Sequence, residues 1–172
     1  MVRLLLWTLL LIGGAWVSIL YDLKHFKTLF LEPQFHLVTL VIGGILMKLT
    51  FHAAAIGGRE LARYGRDGDI PRLETNRLVT GGIYQCTRHP MLFGLMFIPL
   101  AFAFILGSPT FILITAPAQM LFIFVMVWIF EERECRQKFG QAYNAYAANV
   151  PLFPKTFSCV KKLFWDSYSY ES

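Results

Sequence analysis

Four uncharged or nearly uncharged hydrophobic runs, separated by polar stretches, set the pattern of this chain: about residues 4–21, 35–56, 91–106 and 109–130. A helix rises about 1.5 Å per residue, so runs of this length cross, or nearly cross, a hydrocarbon layer of roughly 30 Å. The pattern predicts an all-α integral membrane bundle of about four transmembrane helices, forming a single membrane domain over 1–172. The first run could also be read as a secretory signal. Ser18-Ile19-Leu20-Tyr21-Asp22 offers no small-residue cleavage pattern, however, so a retained helix is expected. Gly43-Gly44 and Ala53-Ala54-Ala55 in the second run suit close helix contact in lipid. The uncharged turn Gly107-Ser108-Pro109 makes the last two runs a tight helical hairpin, with Pro99 and Pro117 expected as kinks inside its arms.

Composition agrees. Of the 172 residues 56% are hydrophobic and 16% charged, and the mean hydropathy is +0.52, which leaves too little polar surface for a water-soluble globule. The net charge of +5 raises the question of nucleic acid, but the basic residues lie between the apolar runs. Arg3, then Arg59, Arg63, Arg66, Arg72, Arg77 and Arg88, then Arg133, Arg136, Lys138, Lys155, Lys161 and Lys162 fall on one side. Lys24 and Lys27 fall on the other, and Lys48 within a span. By the positive-inside rule both termini and the segments 57–90 and 131–172 are expected to be cytoplasmic, in a bacterial inner membrane or an endoplasmic-reticulum-type membrane. The first of these segments opens with Gly57-Gly58 and carries Gly65, Gly68 and Pro71, turn residues that suit a folded loop. Juxtamembrane arginines meeting anionic headgroups account for the basic pI, so the expected partner is the bilayer and not nucleic acid. Cys86, Cys135 and Cys159, unequally spaced and without a CxxC pair, support neither a disulfide framework nor a metal site; free thiols and no metal are expected.

Two polar corners flank the hairpin. Gly81-Gly82-Ile83-Tyr84-Gln85-Cys86-Thr87-Arg88-His89-Pro90 places a cation and an imidazole where the chain enters the third run, beside a helix start suited to an anion. Headgroup snorkelling by Arg88 and His89 is the simpler reading. Glu131-Glu132 follows Trp128-Ile129-Phe130 directly. It reads either as an ordinary i,i+4 pair of Glu132 with Arg136 or as a holder of hydroxyls or a cationic centre. The hairpin makes the two corners neighbours, expected to face each other across a nucleotide-sized hollow. Tyr143 and Tyr146, three apart on a helix that Val150-Pro151 and Pro154 end, read by themselves as packing or interfacial anchors. The stretch containing Phe157, Phe164, Trp165, Tyr168, Tyr170, Lys161 and Lys162 has the mix of an interfacial segment. Lys48 reads either as an intramembrane functional charge or as a snorkelling side chain.

Leu78-Val79-Thr80-Gly81-Gly82-Ile83-Tyr84, Arg88-His89-Pro90-Met91 with Gly94, Glu131-Glu132, Phe139-Gly140, Tyr143, Tyr146 and Val150-Pro151, taken in order, resemble the isoprenylcysteine carboxyl methyltransferases and their phospholipid methyltransferase relatives. The resemblance covers roughly residues 57–154. It implies an integral membrane methyltransferase that uses S-adenosylmethionine without a dinucleotide-type fold, and the sequence carries no GxGxxG after a strand. It makes Arg88, His89 and Glu132 the candidate catalytic residues. Tyr84, Arg88, His89, Glu131, Glu132, Tyr143, Tyr146, Val150 and Pro151 become the candidate cofactor contacts. The implied acceptor is lipid-like or amphipathic: a prenylated carboxylate, an aminolipid or a thiol. The chain departs from the pattern at Leu92, where a Tyr is usual. It also departs at Asn149 and Leu152, where arginines commonly flank the Val-Pro pair and could hold a substrate carboxylate. From another class, a non-catalytic scaffold or small transporter would also carry four spans.

Overall fold

The structure is a computed structural model that describes residues 2–71 and 74–165, with side chains from Leu5 onward, so Arg72, Tyr168, Tyr170 and the Arg3 side chain lie outside the described residues. Among these residues there is no strand. The helices are α1 (Val2–His25), α2 (Lys27–Phe30), α3 (Pro33–Tyr64), α4 (Pro90–Leu95), α5 (Ile98–Leu106), α6 (Ala116–Met126), α7 (Glu132–Asn149) and α8 (Phe157–Phe164). A 3-10 turn covers Gly82–Gln85, and π-helical turns over Phe111–Thr115 and Val127–Glu131 join α6 and α7 into one long run.

Three helices are long and apolar enough to cross a membrane, at Leu5–His25, Pro33–Tyr64 and Phe111–Asn149; Pro90–Leu106 is apolar but shorter. Only 17%, 28% and 17% of the three apolar windows is buried inside the protein. Side chains such as Leu9, Leu37, Leu113 and Trp128 point outward. In water so much exposed apolar surface would drive aggregation, whereas in lipid it is the ordinary state of a spanning helix. The chain is an integral membrane protein built of helices.

The chain divides into two compact units, Met1–Lys48 with Met96–Phe124, and Leu49–Leu95 with Val125–Ser172. In the first, Gly43 packs against Ile105, and Ser18 and Thr115 share a hydroxyl hydrogen bond of 2.8 Å. The predicted tip is present, with Gly107 left-handed at the end of α5. It is held by a residue the sequence reading passed over. Asp22, fully buried near the end of α1, accepts from Thr110 N at 3.1 Å, from Thr110 Oγ1 at 2.5 Å and from Ser108 Oγ, and so caps the helix that leaves the turn. The two prolines act differently from expectation. Pro99 does not kink a continuous helix: the chain breaks after Leu95, and Pro99 lies in the first turn of α5, where its missing N–H leaves no gap. Pro117 follows the π turn at Phe111–Thr115, which displaces the hydrogen-bond register its ring would otherwise strike.

In the second unit Ala53, Ile56, Val79, Ile83, Tyr84 and Leu163 form the core. Helices α3 and α4 touch backbone to backbone. A Cβ on Gly94 would stand 2.6 Å from Ala54 N and 3.0 Å from the Ala53 Cβ, so the small residues of both helices are a steric requirement. Helix α3 also runs on through Gly57-Gly58 to Tyr64, where a folded loop was expected. Helix α8, capped by Thr156 Oγ1, buries Leu163 and leaves Phe157 and Trp165 exposed with Lys161 and Lys162, the layout expected of an interfacial segment. Its Cys159 is bonded to Cys86, with Cα atoms 5.5 Å apart, which corrects the expectation of free thiols. The two are separated by 73 residues, so only the folded path brings them together. Cys135 remains free.

Because Asp22 supplies the acceptors for the tip, Asp22→Ala should lower stability by about 2–3 kcal/mol. Thermal unfolding in detergent checks this, and an unchanged midpoint would contradict the assigned role.

Candidate functional site

The site is assembled in the second unit from three stretches of backbone. The first is Gly81–Pro90. Ile83 N donates to Glu60 Oε1 at 3.1 Å and the Tyr84 hydroxyl to Gly57 O at 3.3 Å, fixing the 3-10 turn onto α3. Burial, and next the charge of Glu60, push the Tyr84 phenol well above its usual range, so it stays a neutral donor. Beyond the turn, Thr87 Oγ1 donates to Leu152 O at 2.7 Å and Arg88 N to Pro151 O at 3.1 Å. These bonds align the second stretch, Val150–Leu152, along the first and hold Arg88 and His89 at the entry of α4.

The third stretch begins where the apolar run ends. The π turn at Val127–Glu131 adds a residue to the local repeat and so resets which of the two adjacent acids faces inward. Glu132 is 6% exposed, and Glu131, the last residue of the π turn, is half-buried. Glu132 Oε1 accepts from His89 Nε2 at 2.9 Å and from the Tyr143 hydroxyl at 2.5 Å, while Oε2 lies 3.2 Å from Arg88 NH2. Because a carboxylate only accepts, Nε2 is the protonated nitrogen of His89 in this arrangement. Arg136 NH2 approaches Oε2 at 3.6 Å, the i,i+4 pair of the simpler reading. Its side chain is 50% exposed, so it adds little beside the buried partners.

Tyr143 reaches Glu132 because α7 is not straight. Eleven residues of regular helix rise about 16 Å, too far for those two side chains to meet. Gly140, at φ 55 and ψ −129, turns the chain back. That conformation is open to glycine and strained for any residue with a Cβ. After the turn, Asn144 Oδ1 accepts from Arg136 NH1 at 2.7 Å, Ala147 O accepts from Arg88 NH1 at 3.0 Å, and the Tyr146 hydroxyl donates to Tyr84 O at 2.5 Å. The rings of Tyr143 and Tyr146 meet edge to face at 5.9 Å.

Arg88, His89, Glu132 and Tyr143 thus form one buried cluster, with Tyr84 paired to Tyr146 and Pro151 bonded to Arg88 beside it. The expected hollow between the two corners is not there. They converge into direct contact, because opposite charges shielded from water gain more by pairing than by standing apart. A cavity of about 160 Å³ in this unit is lined instead by Tyr64, Arg77, Leu78, Val79, Thr80 and Gly81. Among the buried polar atoms left without a partner are Arg88 Nε, a donor, and Glu60 Oε2, an acceptor. Glu60 was missed because Gly57-Gly58 was taken to open a loop; the helix-compatible run Arg59-Glu60-Leu61-Ala62-Arg63 was the available signal. Among the described residues no three His, Cys, Asp or Glu side chains are grouped to hold a metal.

This cluster lies mostly inside the segment that comparison recognises: residues 38–142 match the family described as phospholipid methyltransferase. The chain belongs to this family. A curated relative, protein-S-isoprenylcysteine O-methyltransferase B of Arabidopsis thaliana, is 30% identical over 125 residues, which cover 69% of this chain and 56% of the relative. The chain therefore spans little more than half of that relative's length. No solved structure matches the chain. The family match takes in Tyr84, Arg88, His89 and Glu132, and Tyr143 follows it immediately.

Gly140→Ala should cost about 1–3 kcal/mol and separate Tyr143 from Glu132. Tyr143→Phe should then cost about 1 kcal/mol in the native background and almost nothing in Gly140→Ala. A double-mutant cycle on thermal stability in detergent measures this coupling; additive effects would mean that the reversal at Gly140 does not create the contact.

Proposed function

We propose that this chain transfers a methyl group from S-adenosylmethionine to a lipid-like or amphipathic acceptor at the membrane boundary. The observation that carries the reading is the buried Arg88–His89–Glu132–Tyr143 cluster, built where the apolar run of the last spanning helix gives way to polar sequence, in a member of a methyltransferase family. The curated relative's name describes methylation of an isoprenylcysteine oxygen, which extends to this chain as one form of the proposal.

The residues present fit such a methyl donor. Arg88 keeps Nε unpaired, a charged donor suited to a ligand oxygen, while NH1 and NH2 are fixed by Ala147 O and Glu132. Tyr84, Tyr146, Val150 and Pro151 offer aromatic and apolar wall beside it. When bound, S-adenosylmethionine supplies a methyl group already activated on a sulfonium sulfur. The chain's task is then to orient the partners and exclude water, and positioning of this kind is worth about 7 kcal/mol or more. In this reading Arg88 contacts the ligand, His89 and Glu132 hold Arg88 in place, and Glu131 adjoins Glu132 at the end of the π turn. A lipid-like acceptor arrives from the bilayer and a soluble donor from the cytoplasm, with both termini on that side as the charge asymmetry indicates. Near the Val-Pro pair, Asn149 donates to Ala145 O at 3.0 Å. With no arginine on either side of the pair, an acceptor nucleophile other than a carboxylate fits the chain as well.

The directness of the Glu132 contacts favours a second reading, a non-catalytic scaffold whose cluster only packs the helices. Lys48 gives the transporter reading no support, since it is exposed on α3, as a snorkelling side chain would be.

Arg88→Lys separates these readings, because lysine keeps the charge opposite Glu132 but lacks Nε and the planar fork. Calorimetry in detergent should show S-adenosylhomocysteine binding the native chain and weakening about tenfold or more in the variant, with a small change in thermal midpoint. Tritiated methyl transfer into a membrane extract should place label in the lipid fraction. Binding absent at millimolar ligand would establish the scaffold, and label confined to soluble thiols would exclude a lipid acceptor.

A further inference from the structure

Glu60 has no part in the cluster, and it carries a cost that packing does not explain. It is 3% exposed on α3, Oε1 is bonded to Ile83 N at 3.1 Å, and Oε2 has no hydrogen-bond partner. Buried carboxylate oxygens are nearly always satisfied, because an unmet one forfeits its hydration without replacement. The nearby phenols are committed elsewhere, that of Tyr84 to Gly57 O and that of Tyr146 to Tyr84 O. One helical turn beyond Glu60, on the same face of α3, stands Tyr64, which lines the cavity of about 160 Å³ with Arg77 through Gly81. The segment that supplies this lining runs directly into Ile83, the residue Glu60 holds. Pockets for drug-sized ligands measure roughly 300–1,000 Å³, so this one accommodates a headgroup and not a nucleoside. Arg77, the cation among its lining residues, is exposed.

We propose that Glu60 and Arg77 form a recognition site for a small zwitterion, Glu60 Oε2 accepting from an ammonium group and Arg77 pairing with the anionic oxygen beside it. Two ligands of the proposed reaction carry this chemistry: the amino-acid end of the methyl donor, with its ammonium and carboxylate, and an aminolipid headgroup, with its ammonium and phosphate. The assignment of these two sources rests on the methyl-transfer reading; the site itself rests on Glu60. An acid kept unpaired for a ligand weakens the protein that lacks the ligand, a trade common at functional positions. Glu60→Gln retains an acceptor for Ile83 N and removes the unpaired charge, so it should unfold at or above the native midpoint.

The test is calorimetry on the detergent-solubilised full chain with four probes: S-adenosylhomocysteine, its analogue lacking the amino group, a single-chain phosphoethanolamine amphiphile, and the matching alkyl phosphate. If the ammonium comes from the donor, Glu60→Gln weakens S-adenosylhomocysteine about tenfold or more and leaves the deaminated analogue unchanged. If it comes from the acceptor, the phosphoethanolamine weakens by a similar factor and the alkyl phosphate does not. Arg77→Ala, at an exposed position, should weaken the same zwitterion while leaving the fold intact. Equal binding of all four probes by native chain and Glu60→Gln overturns the proposal, as does a Glu60→Gln variant that unfolds earlier while Arg77→Ala binds every probe normally. Native protein that binds the phosphoethanolamine through Glu60 but no S-adenosylhomocysteine overturns the methyl-transfer reading and leaves this site standing. S-adenosylhomocysteine bound equally by the native chain and Glu60→Gln, with the phosphoethanolamine unaffected, does the reverse.

Discussion

A carboxylate taken out of water has to be met from several directions, and the second unit is arranged around meeting the one on Glu132. Its partners come from distant parts of the chain, Arg88 and His89 from before α4 and Tyr143 from beyond the reversal at Gly140. Burying such a charge with only one partner would cost several kcal/mol; with an imidazole N–H, a phenol and a guanidinium it becomes a fixed point. Much of the surrounding backbone follows from that requirement. The π turn sets the acid inward, the glycine returns Tyr143 to it, and the bonds from Thr87 and Arg88 to Leu152 and Pro151 keep the cationic corner in register.

The first unit meets its buried polar groups with hydrogen bonds. Its polar side chains serve the backbone or one another: Asp22 caps the tip, Ser18 meets Thr115, and Gln119 Nε2 donates to Leu10 O at 2.7 Å. In hydrocarbon these bonds have little competition from water, so they fix helix register while the outward apolar side chains face lipid. The second unit keeps a polar, water-poor cluster of the kind the proposed chemistry needs.

Three of the four expected spans were legible because a long run with little charge has few other uses, whereas the run at 91–106 is shorter and breaks after Leu95; the family was legible because its short motifs occur in order. What escaped the sequence depended on register and on distant contacts. Glu131 and Glu132 are adjacent and chemically alike, and a π turn distinguishes them. Phe139-Gly140 looked like one more motif element inside a continuing helix, yet its glycine reverses the chain. Cys86 and Cys159 gave no spacing signal because their pairing depends on α8 returning to the 3-10 turn. The hollow expected between the corners failed for an electrostatic reason: a juxtaposed arginine, histidine and glutamate pair with one another. Pro99 was read as a kink, although a proline is equally at home in the first turn of a new helix.

The central claim is that the methyl donor is held by the second unit, against the Glu132 cluster. Ultraviolet cross-linking of methyl-tritiated S-adenosylmethionine to the full chain in detergent, followed by peptide mapping, tests this most directly. The account predicts label within residues 81–92 or 131–152, displaced by S-adenosylhomocysteine. Displaceable label confined to residues 5–48 or 96–124, or no displaceable label at all, would contradict it.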